Sequence, residues 1–471
     1  MKNSFRIFLL PVLSTFIAFI SVAQQKNKID VWLTDPAKQV FFKKQSNALI
    51  TESISSSAAV IRINEKETYQ SMDGFGFALT GGSAMNMMKM GAAARRTLIR
   101  ELFGTDKNNI GTSYLRISIG ASDLDEKVFS YDDLPPGETD TTLTHFDLGY
   151  DTLYVLPVLK EILKINPSIK IMGSPWSPPV WMKNNYDTRG GNLLKEYYPV
   201  YAKYFVKYIR AMQQQGIKIN AITVQNEPLH PGNNPSLQMF APDQAEFVKN
   251  HLGPAFAKEK IKTKIIIYDH NADKPEYPIS ILDDAEAKKY IDGSAFHMYA
   301  GKIEALSKVH TAHPDKNLYF TEQWVGAPGN YAADISWHTE QLIIGATRNW
   351  AKTVIEWNLA SDPEYKPYTD RGGCNKCLGA VTIDKDNITR NPAFYIIAHA
   401  AKFVRPGSFR IASTVEDKLP NVAFKTPEGK MVLIVLNSSA LPKTFAIACN
   451  NQTANVLLPA GAVATYVWQT K

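Results

Sequence analysis

Two short apolar runs in this chain end in a glutamate, and these are the residues best placed to do chemistry. In the first, Ile219-Asn-Ala-Ile-Thr-Val-Gln-Asn-Glu-Pro228, an apolar strand stops at Asn226-Glu227-Pro228. Proline cannot donate to a sheet ladder, so it marks the strand's end and leaves Glu227 at the C-terminal lip. In the second, Leu318-Tyr-Phe-Thr-Glu-Gln-Trp324, another apolar run delivers Glu322 in the same way. A single glutamate before a proline is ordinarily a loop residue held by a turn. Two carboxyls at equivalent strand ends, with room between them for several strand and helix units, are the minimal equipment for cleaving a glycosidic bond.

Such a pair needs a scaffold that brings strand ends to one mouth, and the middle of the chain has that texture. Eight apolar runs, 74–80, 114–119, 170–173, 221–225, 264–268, 293–299, 318–321 and 354–358, alternate with amphipathic segments. Eight parallel strands close a barrel whose C-terminal loops converge on one face. Between them, 153–164 places Leu156, Leu159, Ile162 and Leu163 at helical spacing, and 196–215 does the same with Val200, Tyr204, Tyr208 and Met212. A tyrosine stripe of this kind reads as a packing layer rather than a ligand-stacking face.

The two ends of the chain are all-β in character. Runs 30–33, 40–42 and 59–63 precede the barrel; runs 409–413, 422–425, 432–437, 444–448 and 462–468 follow it, with Pro427-Glu-Gly429 as a hairpin signal. Three strands are too few to fold alone, so the expectation is an α/β chain in which a (β/α)8 barrel carries a β-sandwich built from both chain ends. The expected divisions are 1–23 as a leader, 24–68 as N-terminal sandwich strands, 69–403 as the barrel and 404–471 as the rest of the sandwich.

Charge and targeting narrow the partners. The chain carries 52 basic and 45 acidic residues, a net charge of +7 that falls to +5 without Lys2 and Arg6. With no dense basic stripe beside a recognition motif, no nucleic-acid partner is implied, and a neutral polymer is compatible. Lys2 and Arg6, the apolar run 7–20 and Ser21-Val-Ala23 before Gln24 have the form of a cleavable secretory leader. That run falls short of the roughly 20 residues a span needs, so a secreted or periplasmic protein without a membrane span is expected. Cys374 and Cys377 form a C-x-x-C that could be a redox motif, half a zinc site or a disulfide. Export favours the disulfide, a zinc site lacks its second ligand pair, and the redox motif lacks its following helix.

The other strand ends carry Arg116, Ser174-Pro-Trp176, His297-Met-Tyr299 and Trp357-Asn358. Each has a structural reading alone, since an Arg often pairs a structural carboxylate and a Trp often packs in a core; what points to a site is their recurrence at one end of consecutive strands. With Met72-Asp-Gly-Phe-Gly76, Leu115-Arg-Ile117, Gly173-Ser-Pro-Trp-Ser-Pro178, Gln225-Asn-Glu-Pro228, Tyr319-Phe-Thr-Glu322 and Glu356-Trp-Asn358, the chain resembles the glucosylceramidase-like glycoside hydrolases, family thirty.

The resemblance implies a retaining β-glycosidase with Glu227 as acid/base and Glu322 as nucleophile. It places Arg116, Trp176, Asn226, His297, Tyr299, Trp357 and Asn358 around the sugar, and it implies no metal or organic cofactor. A β-glucan or other neutral β-glycoside is the implied substrate. Within the family the chain is most similar to bacterial endo-β-1,6-glucanases, partly on the 226–235 segment and the Cys374/Cys377 loop. The alternatives are an exo-acting β-glucosidase or glucosylceramidase, a β-xylosidase, or an inactive carbohydrate-binding relative, which the intact glutamate pair opposes.

Two departures point away from glucosylceramide. Thr80 is followed by Gly81, where glucosylceramidase has an acid that binds sugar hydroxyls, and Met298 stands where it has Trp. Trp176, Trp181, Trp324 and the 226–234 loop are then expected to hold several sugars of a linear polymer.

Overall fold

The computed structural model describes residues 28–50, 59–106 and 108–469, so the expected leader lies outside the described residues. Three longer strands come first, β1 (Lys28–Asp35), β2 (Val40–Lys44) and β3 (Ala59–Ser71), with a two-residue strand at Ala48–Leu49 between the last two. Eight more follow: β4 (Gly74–Ala78), β5 (Tyr114–Ile119), β6 (Lys170–Pro175), β7 (Ala221–Thr223), β8 (Lys264–Ala272), β9 (Ile291–Gly301), β10 (Asn317–Glu322) and β11 (Ala351–Asn358). These eight pair in chain order, all parallel, and β11 closes on β4. The expected eight-stranded barrel is present.

The barrel's inner filling alternates large and small side chains. Tyr114, Met172, Ala221, Ile266, Ala295, Tyr319 and Ile355 form one buried cluster with a residue from each of seven strands. Outside lie helices such as α1 (Gly81–Lys89), α2 (Ala92–Phe103), α3 (Val155–Ile165) and α4 (Tyr198–Gln214). Tyr201, Tyr204, Tyr208 and Met212 of α4 are buried in the main core, so the tyrosine stripe is packing, as its helical period implies. Among the described residues no helix is long and apolar enough to cross a membrane.

After the barrel come β12 (Phe409–Ser413), β13 (Asn421–Lys425), β14 (Lys430–Leu436), β15 (Lys443–Cys449), β16 (Gln452–Leu458) and β17 (Val463–Gln469). They join the N-terminal strands in one ten-stranded sheet whose path is β2-β1-β17-β14-β13-β12-β3-β15-β16, the tenth member being the two-residue strand Ala48–Leu49 paired with β1. The sheet folds onto itself, because Met431 and Leu433 of β14 share a core with Phe445, Ile447 and Val456 from β15 and β16. The alternate residues of β14, Val432, Ile434 and Leu436, join the barrel's own core. Burial on both faces is why Lys430-Met-Val-Leu-Ile-Val-Leu436 reads as a continuous apolar run instead of an alternating one.

That double burial makes β14 the seam between the two bodies. Ile434 is fully buried on the barrel-facing side of β14, so Ile434→Ala should lower stability by about 2–5 kcal/mol through lost transfer energy and the residual cavity. Denaturant midpoints of the mature protein test this, with turnover per folded molecule expected to stay within about twofold. A variant as stable as the wild type would contradict the seam.

Candidate active site

Side chains two residues apart on a strand share a face, so the residues two positions beyond the apolar inner layer also point inward. Above Tyr114 comes Arg116; above Met172, Ser174; above Ala221, Thr223; above Ala295, His297; above Tyr319, Thr321. A polar layer therefore sits on the apolar one. On β8 the step is broken by a bulge: Tyr268 and Asp269 have φ of 73° and 61°, and the β8–β9 register shifts between Ala295 and Phe296. The irregularity turns Asp269 into the layer, where it accepts from Arg116 Nη2 at 2.7 Å, Thr223 Oγ1 at 2.8 Å and Thr321 Oγ1 at 2.7 Å.

Arg116 connects that layer to the mouth. Its Nη1 donates to Glu322 Oε2 at 2.5 Å, its Nη2 to Asn226 Oδ1 at 2.7 Å, and its Nε to Ser174 Oγ at 3.1 Å. Tyr299 Oη donates to the other oxygen of Glu322 at 2.9 Å. His297 bridges two carboxylates, with Nε2 3.1 Å from Asp269 Oδ1 and Nδ1 3.1 Å from Glu227 Oε1. One oxygen of Glu227, one of Glu322 and a ring nitrogen of His297 all lie within 4.8 Å of one another. Glu227 itself has φ of 44°, a left-handed backbone that strains a residue with a side chain by about 1–3 kcal/mol. Its N–H is fixed on Asp269 O at 2.9 Å.

The electrostatics follow from these contacts. Burial alone would lower His297, but Glu322, Asp269 and Glu227 raise it to about 9, so its ring carries a proton on each nitrogen. Burial would raise Asp269, yet Arg116, His297 and Thr321 hold it well below the usual carboxylate range. For Glu227, the His297 hydrogen bond and charge, helped by His270 and His230, overcome burial and lower the carboxyl. For Glu322, burial dominates and raises it against the pull of His297 and Arg116. Three carboxyls thus face two cations in a desolvated cluster, so the protonation of each glutamate depends on that of the other.

Above the cluster opens a cavity of about 390 Å³ lined by residues including Glu227, Glu322, Trp176, Trp357, Tyr299 and Trp324. Trp176 and Trp357 stack with centroids 5.4 Å apart, and the Arg116 guanidinium lies 4.9 Å and 5.8 Å from their rings. Cys374 and Cys377 form a disulfide, and both line the same cavity. Cys377 pairs with Gly326 in a two-residue ladder, which ties that loop to the segment just after Glu322.

Several expected sugar contacts are placed differently. Arg116 and His297 are fully buried beneath the carboxyls and do not line the cavity, because their polar atoms are spent on the charged network. Asn358 is buried too, accepting from Ser83 Oγ at 2.9 Å and donating to Cys377 O at 3.1 Å. Asn226 is held by Arg116. Trp181, expected as a cleft wall, packs in the core with its Nε1 donating to Asp132 O at 2.9 Å.

The sequence reading also passed over Asp269 and over Asp123, which lines the cavity and is raised by burial, with Glu322 and Glu227 adding to it, to about 8. The Asp-His-Asn run after the apolar 265–268 was the available signal for Asp269.

Residues 72–404 match the family model of the glycosyl hydrolase family 30 TIM-barrel domain, and 407–466 that of the glycosyl hydrolase family 30 β-sandwich domain. The chain belongs to glycosyl hydrolase family 30. An endo-1,6-β-D-glucanase of Neurospora crassa is 36% identical over 360 residues, 73% of this chain and 72% of that one. The lysosomal acid glucosylceramidase of Mus musculus is 29% identical over 437 residues, 87% of this chain and 83% of its own. A solved endo-β1,6-glucanase superimposes with a TM-score of 0.87 at 34% identity, covering 94% of this chain and all of that one.

Within this family 30 chain the position after Thr80 is filled from elsewhere. A Cβ on Gly81 would lie 1.6 Å from Asp125 Oδ1, so Asp125 takes the volume that an acidic residue at 81 would need. Desolvation raises Asp125 to about 7, against hydrogen bonds from Ser122 N and Oγ that lower it. Gly81→Asp should therefore lower stability by about 1–3 kcal/mol through overpacking and like charge, with activity falling alongside. Gly81→Asp combined with Asp125→Gly should recover part of both losses. Thermal melts and initial rates on the four proteins of this cycle check it, and purely additive effects would show that the two positions do not compete.

Proposed function

We propose that this glycosyl hydrolase is an exported, retaining endo-β-1,6-glucanase in which Glu227 is the acid/base and Glu322 the nucleophile. The observation that carries the mechanism is the carboxyl spacing. Retaining pairs stand about 5–5.5 Å apart and inverting pairs about 6.5–9.5 Å, and here an oxygen of each glutamate lies within 4.8 Å of the other.

The roles divide on the contacts. Arg116 and Tyr299 grip both oxygens of Glu322, which orients it and compensates its charge when it attacks the anomeric carbon. Glu227 Oε1 lies 3.1 Å from the protonated His297 ring, which passes it a proton as Glu227 protonates the leaving glycosidic oxygen. The covalent glycosyl-enzyme is then opened by water, which gives a proton to the ionised Glu227 as its oxygen bonds the anomeric carbon and the bond to Glu322 breaks. Asp123, Trp176 and Trp357 meet the central sugar's hydroxyls and apolar face, while Trp324 and Asn233 extend the wall for further sugars.

The β-1,6 preference rests on the endo-1,6-glucanases among the relatives, and export on the leader-like 1–23 segment and the disulfide. An endo mode means that remote sugars contribute binding energy to the transition state. kcat/KM should therefore rise at least tenfold from an aryl β-glucoside to a β-1,6-linked glucotetraose, with internal cleavage of the polymer. Equal efficiency on the two would return the enzyme to the exo-acting glucosidase or glucosylceramidase reading. Glu227→Gln should lose about 10²–10⁴-fold on the oligosaccharide but far less on a dinitrophenyl glycoside, whose leaving group needs no acid. Equal losses on both would remove Glu227 from the acid role.

A further inference from the structure

Away from the cleft, the chain leaves β5 and makes a loop closed on itself by Asp147 N donating to Tyr131 O at 2.8 Å. Inside this loop Asp132, Asp140 and His145 each present one ligand atom, and these atoms all lie within 4.8 Å of one another. The three residues are not equally provided for. Asp140 has donors on both oxygens, Thr142 N and Oγ1 on Oδ1 and Thr144 Oγ1 and His145 N on Oδ2. Asp132 is 1% exposed, and neither of its carboxylate oxygens has a hydrogen-bond partner.

A buried carboxylate with no partner is unfavourable by several kcal/mol unless a cation reaches it or it takes up a proton. The neighbouring ammonium groups are committed elsewhere, Lys203 to Thr142 O and Lys207 to Leu143 O. Trp181 Nε1 reaches Asp132, but at its backbone oxygen. What remains beside the unpaired carboxylate is Asp140 Oδ2 with His145 Nδ1 2.9 Å away. That separation suits a hydrogen bond and equally suits two neighbouring ligands on one metal. His145 is largely exposed, so an ion has a way in from solvent.

We propose that Asp132, Asp140 and His145 bind a divalent cation of the borderline kind that accepts carboxylate oxygen and imidazole nitrogen together, with Zn²⁺ as the representative. Ca²⁺ and Mg²⁺ prefer oxygen-only surroundings, which the imidazole disfavours. The ion would pin the 131–147 loop from within. That loop continues from Asp123 at the cleft, and Trp181 ties it to the segment after β6. Glu227, His297 and Glu322 offer a similar donor set, but there Arg116, Tyr299 and Asp269 already occupy the donors.

The test uses the mature protein stripped with EDTA and dialysed, then titrated with ZnCl₂. One Zn²⁺ retained per chain and a rise in melting temperature are expected, both in the wild type and in Glu227→Gln, which controls for binding at the cleft. Asp132→Asn and His145→Gln should each abolish retention and the rise, while their circular dichroism matches the metal-free wild type. Anomalous diffraction at the zinc edge should place the ion between the three side chains. Retention unchanged in Asp132→Asn, loss in Glu227→Gln alone, or stabilisation by Ca²⁺ but not Zn²⁺ would each overturn the proposal.

Discussion

Everything at the mouth of this barrel depends on one fully buried guanidinium. Arg116 has no solvent contact, and its charge is tolerable only because Asp269 and Glu322 lie 2.7 Å and 2.5 Å away. The same group holds Asn226, touches Ser174 and lies over the rings of Trp176 and Trp357. Five of the barrel's strands, or the turns just beyond them, are thus set relative to one another by a single side chain. Losing either carboxylate would leave the buried guanidinium with one ionic partner where it now has two. The catalytic geometry and the stability of the upper barrel are therefore one problem, solved by the same contacts.

The polar layer explains why the site can be charged and still well ordered. It rests on an apolar layer that fixes strand spacing, and its members satisfy one another across strands, as Thr223 does with both Ser174 and Asp269. Backbone strain is present at the site as well as at turns elsewhere in the chain. Glu227 holds a left-handed backbone, and the turn it makes is secured from below by the Asp269 carbonyl. The residue that bends β8 is thus also the residue that anchors the second carboxyl's backbone. The sandwich contributes at a distance, by burying the second face of β14 against the barrel.

Much of this was legible from residue order alone. Strand runs that end in Asn-Glu-Pro and Thr-Glu announced both carboxyls, because a strand's direction in a parallel barrel decides which end carries chemistry. The inward direction of Asp269 was not legible, since a bulge shifts the two-residue period of its strand and no pattern rule foresees a bulge. β16 escaped for a different reason. Its buried Ala454, Val456 and Leu458 do alternate, but they are interleaved with Gln452, Thr453 and Asn455, and the segment reads as a polar loop. Trp181 was assigned to the cleft because aromatic residues near a sugar site invite that reading, whereas the helical turn after Pro179 carries it into the core. Gly81 looked like a missing carboxylate; only the structure shows Asp125 standing in its space.

The central claim is that Glu322, held at both oxygens by Arg116 and Tyr299, forms the covalent bond to the sugar. Incubation with an activated 2-fluoro β-glucoside slows both steps and lets the glycosyl-enzyme accumulate, after which proteolysis and mass spectrometry locate the label. A single label on the peptide containing Glu322, absent from Glu322→Gln, is the expected result. Label on Glu227, Asp123 or any other carboxyl, or inactivation without a covalent adduct, would contradict it.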